Sequence, residues 1–337
     1  MNDYTLGAVI SSRIRLARNI NGYAFPARLR NEKQAKEIIR SVSSAVNKLD
    51  EFHLYYMDGI RDEDAQSLVE NHLISPALLR RPPFSAALIN QERNISIMIN
   101  EEDHLREQCI VKGSDLRGAY AKMSEKDTLI ARAIPFAYDE RLGYLTACPT
   151  NLGTGLRASV MMFLPALAIG GMMPRVIQST TRLGLTVRGA YGEGSNATGY
   201  TFQISNEVTL GVTEEEIITQ VLAIVNKIVE MEASERERLK RGSHALEIKD
   251  KCLRAYGTLT NCALMTSTEF VDLCADLKLA VCLDYVKATD ITAIDDLIVK
   301  MKPSNVNRAA GRKLTSEERD SYRAEFSSKA IRKIIIK

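Results

Sequence analysis

Cys148-Pro149-Thr150-Asn151-Leu152-Gly153-Thr154-Gly155-Leu156-Arg157 is the stretch on which the reading of this chain turns. Gly143 to Ala147 before it has the composition of a strand, and the apolar run from Leu156 to Ile169 after it reads as a helix. A strand-turn-helix junction leaves backbone N–H groups unpaired and aims the positive end of a helix dipole at the turn, which favours an anion. Arg157, at the expected helix start, adds a planar cation suited to phosphate oxygens. Cys148 stands beside that anion site, where a thiolate is stabilised. Gly153 to Ala158 also fits the Gly-x-Gly-x-x-Ala dinucleotide fingerprint. The acid expected some twenty positions on, to hold a ribose hydroxyl, is missing, because the next one is Glu193. A Gly-rich turn kept for tight packing is the plainer alternative.

The chain has 337 residues, enough for two domains with a sizeable core. A net charge of +3 gives no general affinity for nucleic acid or anionic membrane. Met1 to Ala8 is short and polar and no apolar run approaches a membrane span, so neither a signal peptide nor a transmembrane helix is expected. Six cysteines include no C-x-x-C pair and four histidines show no ligand spacing. Reduced thiols in the cytosol, and no metal held by the protein itself, are the expectation.

Upstream, Ser11 to Asn19 reads as a strand whose alternation puts Arg13 and Arg15 on one face. Two guanidinium groups there repel unless an anion or carboxylates lie between them; the alternative is a solvated basic face. Asn31 to Lys48 is an amphipathic helix with Ala35, Ile38, Ile39, Val42 and Val46 at helical spacing. Asp62 to Leu73 is a second helix carrying His72 near its end. Strands are expected at Ala86 to Asn90 and Asn94 to Asn100. The latter delivers Asn100-Glu101-Glu102-Asp103-His104-Leu105-Arg106. This acidic run is either solvent-facing or a carboxylate pocket for a cation, with His104 and Arg106 turned toward an anion. Ser114 to Ile134 is helical.

Downstream, Arg182 to Ala190 reads as a strand leading into Arg188-Gly189-Ala190-Tyr191-Gly192-Glu193-Gly194-Ser195-Asn196, a turn whose only acid is Glu193. Tyr200 to Ser205 and Val208 to Gly211 read as further strands. Thr213-x-x-Glu216 is a capping box opening a long helix. Composition shifts at Ala233 to Gly242, which sets a boundary between segments 1–238 and 239–337. Helical patterns follow at Ala245 to Leu259, Ser267 to Val281, Ile291 to Met301 and Ser316 to Ile335, the last opened by the capping box Thr315-x-x-Glu318. On that helix Arg319 and Arg323 share a face, and Asp320 can pair with Arg323; a salt-bridged surface is the plain reading.

Together these pieces supply Arg13, Arg15, Arg106, Arg157 and Arg188, two acids at strand ends, Glu102 and Glu193, one cysteine beside a turn, and no Walker loop. The arginines suit the phosphates of ATP, with Mg²⁺ bridging them. Two carboxylates and a thiolate suit a cationic, planar acceptor such as a guanidinium. Such a group has a pKa above about 12, so a nitrogen must lose a proton as it attacks phosphorus. Two carboxylates can hold it in line, and one of them can accept the proton.

In these motifs the chain resembles the phosphagen (guanidino) kinase family, and within it the bacterial branch that acts on arginine in proteins. Ser-Ser-Arg-Ile-Arg, Asn-Glu-Glu-Asp-His-Leu-Arg, Cys-Pro-Thr-Asn-Leu-Gly-Thr-Gly-Leu-Arg and Arg-Gly-x-x-Gly-Glu stand in the family's order and spacing over nearly the whole chain. The resemblance implies an α+β fold. Its catalytic domain has an antiparallel, glutamine-synthetase-like sheet flanked by helices, and a small all-helical domain follows. It implies that Ser11, Arg13, Arg15, Arg106, Arg157 and Arg188 hold ATP, with His72 by the adenine. Glu102 and Glu193 would clamp and deprotonate the guanidinium beside Cys148. Arg319, Asp320 and Arg323 match a motif that binds phosphoarginine as an allosteric ligand. Also implied are a homodimer, an activator of the McsA type, delivery of the tagged proteins to a Clp ATPase-protease, and a cytoplasmic location. The strand of Arg13 starts at residue 11, with no helical domain ahead of it to enclose a small acceptor, so an arginine displayed on a protein is the expected substrate. Tyr191 and the Gly-Glu-Gly-Ser run also follow the bacterial pattern. The alternatives are a kinase of free arginine or another small guanidino compound, and a phosphoarginine-reading adaptor without activity.

Overall fold

Strand alternation at the N-terminal end decides which side of the sheet is which. In the computed structural model, which describes residues 7–47, 52–80, 82–189 and 198–336, β1 (Val9–Arg18) buries Ser12, Ile14 and Leu16 on one face. Ser11, Arg13 and Arg15 stay half-buried on the other. α1 (Glu32–Val46) begins where the Asn31 side chain accepts from the Lys33 N–H at 2.9 Å, and it buries Ala35, Ile38, Ile39, Val42 and Val46 as its spacing predicts. β2 (Phe52–Tyr56), α2 (Asp62–Glu70), β3 (Ala86–Asn90), β4 (Ile95–Ile99) and β5 (Leu105–Lys112) follow. α3 (Leu116–Ala133), capped by Asp115, stops just short of Pro135. β6 (Tyr138–Asp139) and β7 (Gly143–Tyr144) form a short hairpin.

Here the expected strand Gly143 to Ala147 shrinks to two residues, and the expected helix Leu156 to Ile169 is overturned. Leu156–Phe163 is a strand, β8, and only Pro165–Ile169 is helical, as α4. Pro165 occupies the first turn of α4, where a missing N–H costs nothing, and the residue before a proline is driven to extended backbone. The apolar run before it belongs to a strand buried on both faces, which carries no alternation. α5 (Met173–Thr181), β9 (Leu185–Gly189) and β10 (Thr201–Asn206) come next. Val208 to Gly211 is not a strand: its Thr209 ties down the Cys148 loop instead.

α6 (Glu214–Arg241) opens with the expected box, Thr213 N–H donating to Glu216 at 2.7 Å and Glu216 N–H to the Thr213 hydroxyl at 3.3 Å. Then come α7 (Ala245–Asn261), α8 (Ser267–Cys282), β11 (Lys287–Ala288), α9 (Thr292–Lys300), α10 (Pro303–Ala310), α11 (Ser316–Ile334) and β12 (Ile335–Ile336). α10 had no apolar stripe to announce it, only Pro303 at its start and Gly311 at φ +70° beyond its end. The Thr315/Glu318 box is formed at the start of α11.

Eight strands follow the order β2-β3-β4-β5-β1-β8-β10-β9, with antiparallel register from β2 through β1. By packing, the chain divides into two compact units, one of residues 11–160 with 205–222 and the other of 1–10, 161–204 and 223–337. In the first, α3 covers the β5 face that buries Ile14, Leu16, Ile97, Leu105 and Cys109. The second centres on α7, α8, α9 and α11, whose Leu259, Phe270, Leu277, Ile294 and Ile331 form one apolar core. This packing division differs from a cut at residue 238: it falls within α6, between residues 222 and 223, and gathers residues 161–204 with the tail. Its charged end conceals a buried pair: Glu232 takes Arg236 Nε at 2.9 Å and the first amides of α4, Ala166 and Leu167, at 3.1 and 3.0 Å. No helix among the described residues is long and apolar enough to cross a membrane.

Candidate active site

Register between β1 and β5 builds the cationic face. Arg13 stands opposite Ile110, Arg15 opposite Gln108 and Ala17 opposite Arg106, so Arg13, Arg15 and Arg106 rise from the same side. β8 lies next to β1 and adds Arg157 and Ser159. Arg13 Nε donates to Ser159 Oγ at 3.4 Å, and Arg157 Nη2 to Ser205 Oγ at 3.0 Å. Arg157 thus sits on a strand, and guanidinium groups rather than a helix dipole make this site attractive to anions. Burial, followed by Arg106 and Arg157, pushes Arg13 down to about 10. Arg15 is lowered well below its ordinary value by burial and by Arg13, Arg106 and Arg157, with Glu101 opposing. Its Nε is buried with no hydrogen-bond partner among the described residues. Four like charges held this close are a standing cost that a polyanion with many acceptor oxygens removes.

The acidic run resolves into three roles. Glu101 is buried and takes both contacts of Arg106 Nη1, at 2.8 and 2.9 Å, together with the Ser75 hydroxyl. Although burial raises its pKa, Arg106 and Ser75 hold it below the ordinary value. Asp103 is also buried; it accepts from Asn19 Nδ2 and from the Ala147 amide, each at 2.6 Å. Glu102 between them is exposed, and its carboxylate has no ion-pair partner among the described residues. Partial desolvation and then the charges of Asp103 and Glu101 raise its proton affinity, against Arg106. A free carboxylate with raised basicity is what a general base needs. His104 is not turned toward an anion: its Nδ1 accepts from the Ile20 amide at 3.1 Å and its Nε2 faces the Ala24 carbonyl at 3.1 Å. Burial lowers it to about 4, which leaves a neutral, structural ring.

The same bonds stitch the Cys148 loop to this turn. Asp103 holds Ala147, so Glu102 and Cys148 are each one residue from a single hydrogen bond. Asn19 reinforces it, giving Nδ2 to the Leu145 carbonyl at 3.0 Å and accepting from the His104 amide at 2.9 Å. Cys148 is half-exposed with Sγ 3.0 Å from the Thr150 hydroxyl. Beyond it, Gly153 and Gly155 adopt φ +96° and +63°. A Cβ on Gly153 would collide with the Thr209 carbonyl, and one on Gly155 would lie 2.7 Å from the Ala17 carbonyl. The glycines serve close backbone approach to β1 and to the Thr209 segment, and the Thr209 hydroxyl caps the carbonyls of Thr150 and Leu152 at 2.9 and 2.6 Å.

His72 lies past the end of α2, at φ +59°, and its carbonyl accepts from Gln108 Nε2 at 2.7 Å. Because Gln108 pairs with Arg15, this turn is anchored to the cationic face of the first unit. Ser11 shares that face by alternation. Arg188 is exposed on β9 in the second unit, and Glu193 and Tyr191 lie outside the described residues. On α11 the expected pair is present: Arg323 Nη1 meets Asp320 at 2.7 Å. Arg323 is buried and also donates to the carbonyls of Met265 and Met301, at 2.7 and 3.0 Å. Arg319 donates to the Leu314 carbonyl at 2.7 Å and to Ser316 at 3.1 Å. A groove of about 490 Å³ along this helix is lined by Thr315, Glu318, Ser321, Tyr322 and Glu325. Sequence reasoning missed Ser75, Asn19, Asp103 and Gln108 as the frame of the site; only the position of Asn19, directly after a strand bearing two arginines, hinted at it.

Known proteins resemble this chain in sequence and in fold. Residues 33–235 match the model of the "ATP:guanido phosphotransferase, C-terminal catalytic domain" family, and residues 245–335 that of the "Protein-arginine kinase McsB C-terminal domain". A protein-arginine kinase from Geobacillus stearothermophilus is 42% identical over 96% of this chain and 90% of its own. One from Caldanaerobacter subterraneus subsp. tengcongensis is 40% identical over 99% of each. Among solved structures, the duplicated taurocyamine kinase from Schistosoma mansoni, with bound transition state analog components, matches at 27% identity and TM-score 0.65. It covers 80% of this chain, which spans 39% of that longer one. Lombricine kinase matches at 27% identity and TM-score 0.62, over 71% of this chain and 68% of its own.

Proposed function

The chain belongs to the ATP:guanido phosphotransferase family, and we propose that it is a protein-arginine kinase, which moves the terminal phosphoryl group of ATP to the guanidinium of arginine residues in proteins. The observation that carries this reading is the sheet face on which Arg13, Arg15, Arg106 and Arg157 crowd together, with the exposed Glu102 of raised basicity at its end. In the proposed reaction these arginines hold the ATP phosphates, Arg188 completes the grip, Ser11 lies beside the phosphates and His72 beside the adenine. Mg²⁺ would come with the nucleotide, since Arg13, Arg15, Arg106 and Arg157 on this face are cations, and would help neutralise the transferred charge. An arginine nitrogen attacks the terminal phosphorus, the N–P bond forms, and the bond to the bridging oxygen breaks with its electrons leaving on ADP. The proton lost from that nitrogen goes to Glu102 or Glu193, which together clamp the guanidinium. Cys148, tied to Glu102 through Asp103 and Ala147, supports the charge of the same nitrogen.

Regulation and partners extend the same reading. Phosphoarginine as an allosteric ligand would exchange its phosphoryl group for the present partners of Arg319, with Asp320 and Arg323 completing the site. A homodimer, an activator of the McsA type, handover to a Clp ATPase-protease under stress, and a cytoplasmic setting complete the proposal. The boundary between 1–238 and 239–337 is supported by the two family matches, which stop at 235 and resume at 245. A second reading, a kinase of free arginine or another small guanidino compound, is kept because two similar structures are named for taurocyamine and lombricine.

Incubation with Mg-ATP and an unfolded protein, and in parallel with free arginine, separates them. The proposal expects acid-labile phosphate on arginine residues by mass spectrometry. Turnover confined to free guanidines would favour the second reading, and phosphate found only on Ser, Thr or Tyr contradicts both.

A further inference from the structure

On the sheet face opposite the arginines, β5 carries a carboxyl that phosphotransfer does not use. Glu107 pairs with Leu16 of β1 and Ile97 of β4, both buried, and is itself fully buried. Neither of its oxygens has a hydrogen-bond partner among the described residues. α3 brings Asp127 to this face, where it accepts Arg18 Nε at 3.0 Å and Nη2 at 2.9 Å. Arg18 Nη1 donates to the carbonyls of Ala17 and Thr154, at 2.9 and 3.0 Å, and the guanidinium lies 3.5 Å from the centre of the Tyr144 ring. Two carboxyl groups therefore face one guanidinium, and that guanidinium also holds the loop between Cys148 and Arg157. The other titratable groups around this cluster are Tyr120 of α3 and Tyr144 of β7, both pushed up by burial, and Glu214 at the start of α6. Toward Cys109, Lys122, Asp115 and Glu92 complete the surroundings.

We propose that Glu107 is a positioning residue that works in its protonated form: neutral, it leaves Arg18 to Asp127 and to Thr154, and so holds the Cys148 loop in place. Ionised, it competes for Arg18 and loosens that loop. Burial, and then the charge of Asp127, hold Glu107 well above the ordinary carboxyl range, against Arg18. Since its folded value lies above the unfolded one, the stability it contributes is complete below the unfolded value and is lost as pH rises through the folded value.

The test compares kcat and melting temperature against pH for the wild type, Glu107→Gln and Glu107→Leu, together with difference infrared spectra. In the wild type, kcat falls about tenfold per pH unit beyond the apparent value of Glu107, while melting temperature declines as pH rises from the unfolded carboxyl value toward that apparent value and then levels off. Both variants hold their plateau, and a protonated-carboxyl band present in the wild type at neutral pH is missing from Glu107→Gln. An alkaline limb unchanged in both variants overturns the proposal, as does the lack of that band. A loss uniform across pH with a lower melting temperature overturns it too, by reducing Glu107 to packing. If neither variant folds, the wild-type band must vanish in step with kcat, and a mismatch is decisive against it. The kinetic arm rests on the kinase reading; the infrared and melting arms do not, so the two can fail separately.

Discussion

Arg15 concentrates the logic of the site in one side chain. It stands among Arg13, Arg106 and Arg157, and among the described residues its Nε has no hydrogen-bond partner and only Glu101 opposes the repulsion. Arg15→Met should therefore raise the melting temperature of the nucleotide-free protein, a trade of activity for stability common at binding sites. It should also lower kcat/KM for ATP by roughly 10²–10³, the scale for removing one donor to a reacting anion. A lower melting temperature in the nucleotide-free variant would show that Arg15 is a packing residue. Arg13 and Arg15 were legible because alternation along a strand is a local rule, whereas Arg157 was expected at a helix start and stands on β8. The division of labour among Glu101, Glu102 and Asp103 was not, because it depends on Ser75, Asn19 and Ala147, which chain folding alone brings near. Glu102 also predicts a pH dependence. The base must be ionised, so kcat/KM rises with pH along an acid limb shifted upward from where an unperturbed glutamate would set it, and this limb should vanish in Glu102→Gln.

Among elements, β8 and the loop before it illustrate what a sequence hides. Leu156 to Ile169 is apolar apart from Arg157 and Ser159, and a segment so largely buried offers little period by which to choose helix or strand. Pro165 was the available signal, since it opens α4. The glycines before β8 were visible as a turn, but their reason, contact with the carbonyls of Thr209 and Ala17, lies in distant segments. Gly153→Ala combines a left-handed φ with a backbone collision, so the loop has to shift. The expected outcome is a loss of at least about 1 kcal/mol in stability by denaturant titration, with activity falling further than stability explains. Unaltered stability and activity would mean that the loop tolerates displacement and does not set the geometry of Cys148 and Arg157.

At the scale of the whole molecule, sequence motifs and family matches divide the chain near residue 240, while packing gathers residues 161–204 with the helical tail. Composition registers changes along the chain and not which segments return to pack together. The α11 motif belongs to this scale, because its proposed role is to signal between parts of the protein. Asp320→Ala removes the acceptor of Arg323 but leaves the cationic face untouched. Basal phosphorylation should persist, while activation by added phosphoarginine weakens; binding of phosphoarginine at wild-type affinity would dismiss the assignment.

The central claim is that one face grips nucleotide phosphates while Glu102 takes part in removing the proton of a guanidinium. Its most direct test is the rate of phosphoarginine formation by Glu102→Gln, with ADP affinity measured on the same samples. Nucleotide binding is expected to stay close to wild type while the rate falls by roughly 10²–10⁴, the range for a lost general base. Phosphoarginine formed by that variant at the wild-type rate would contradict the account.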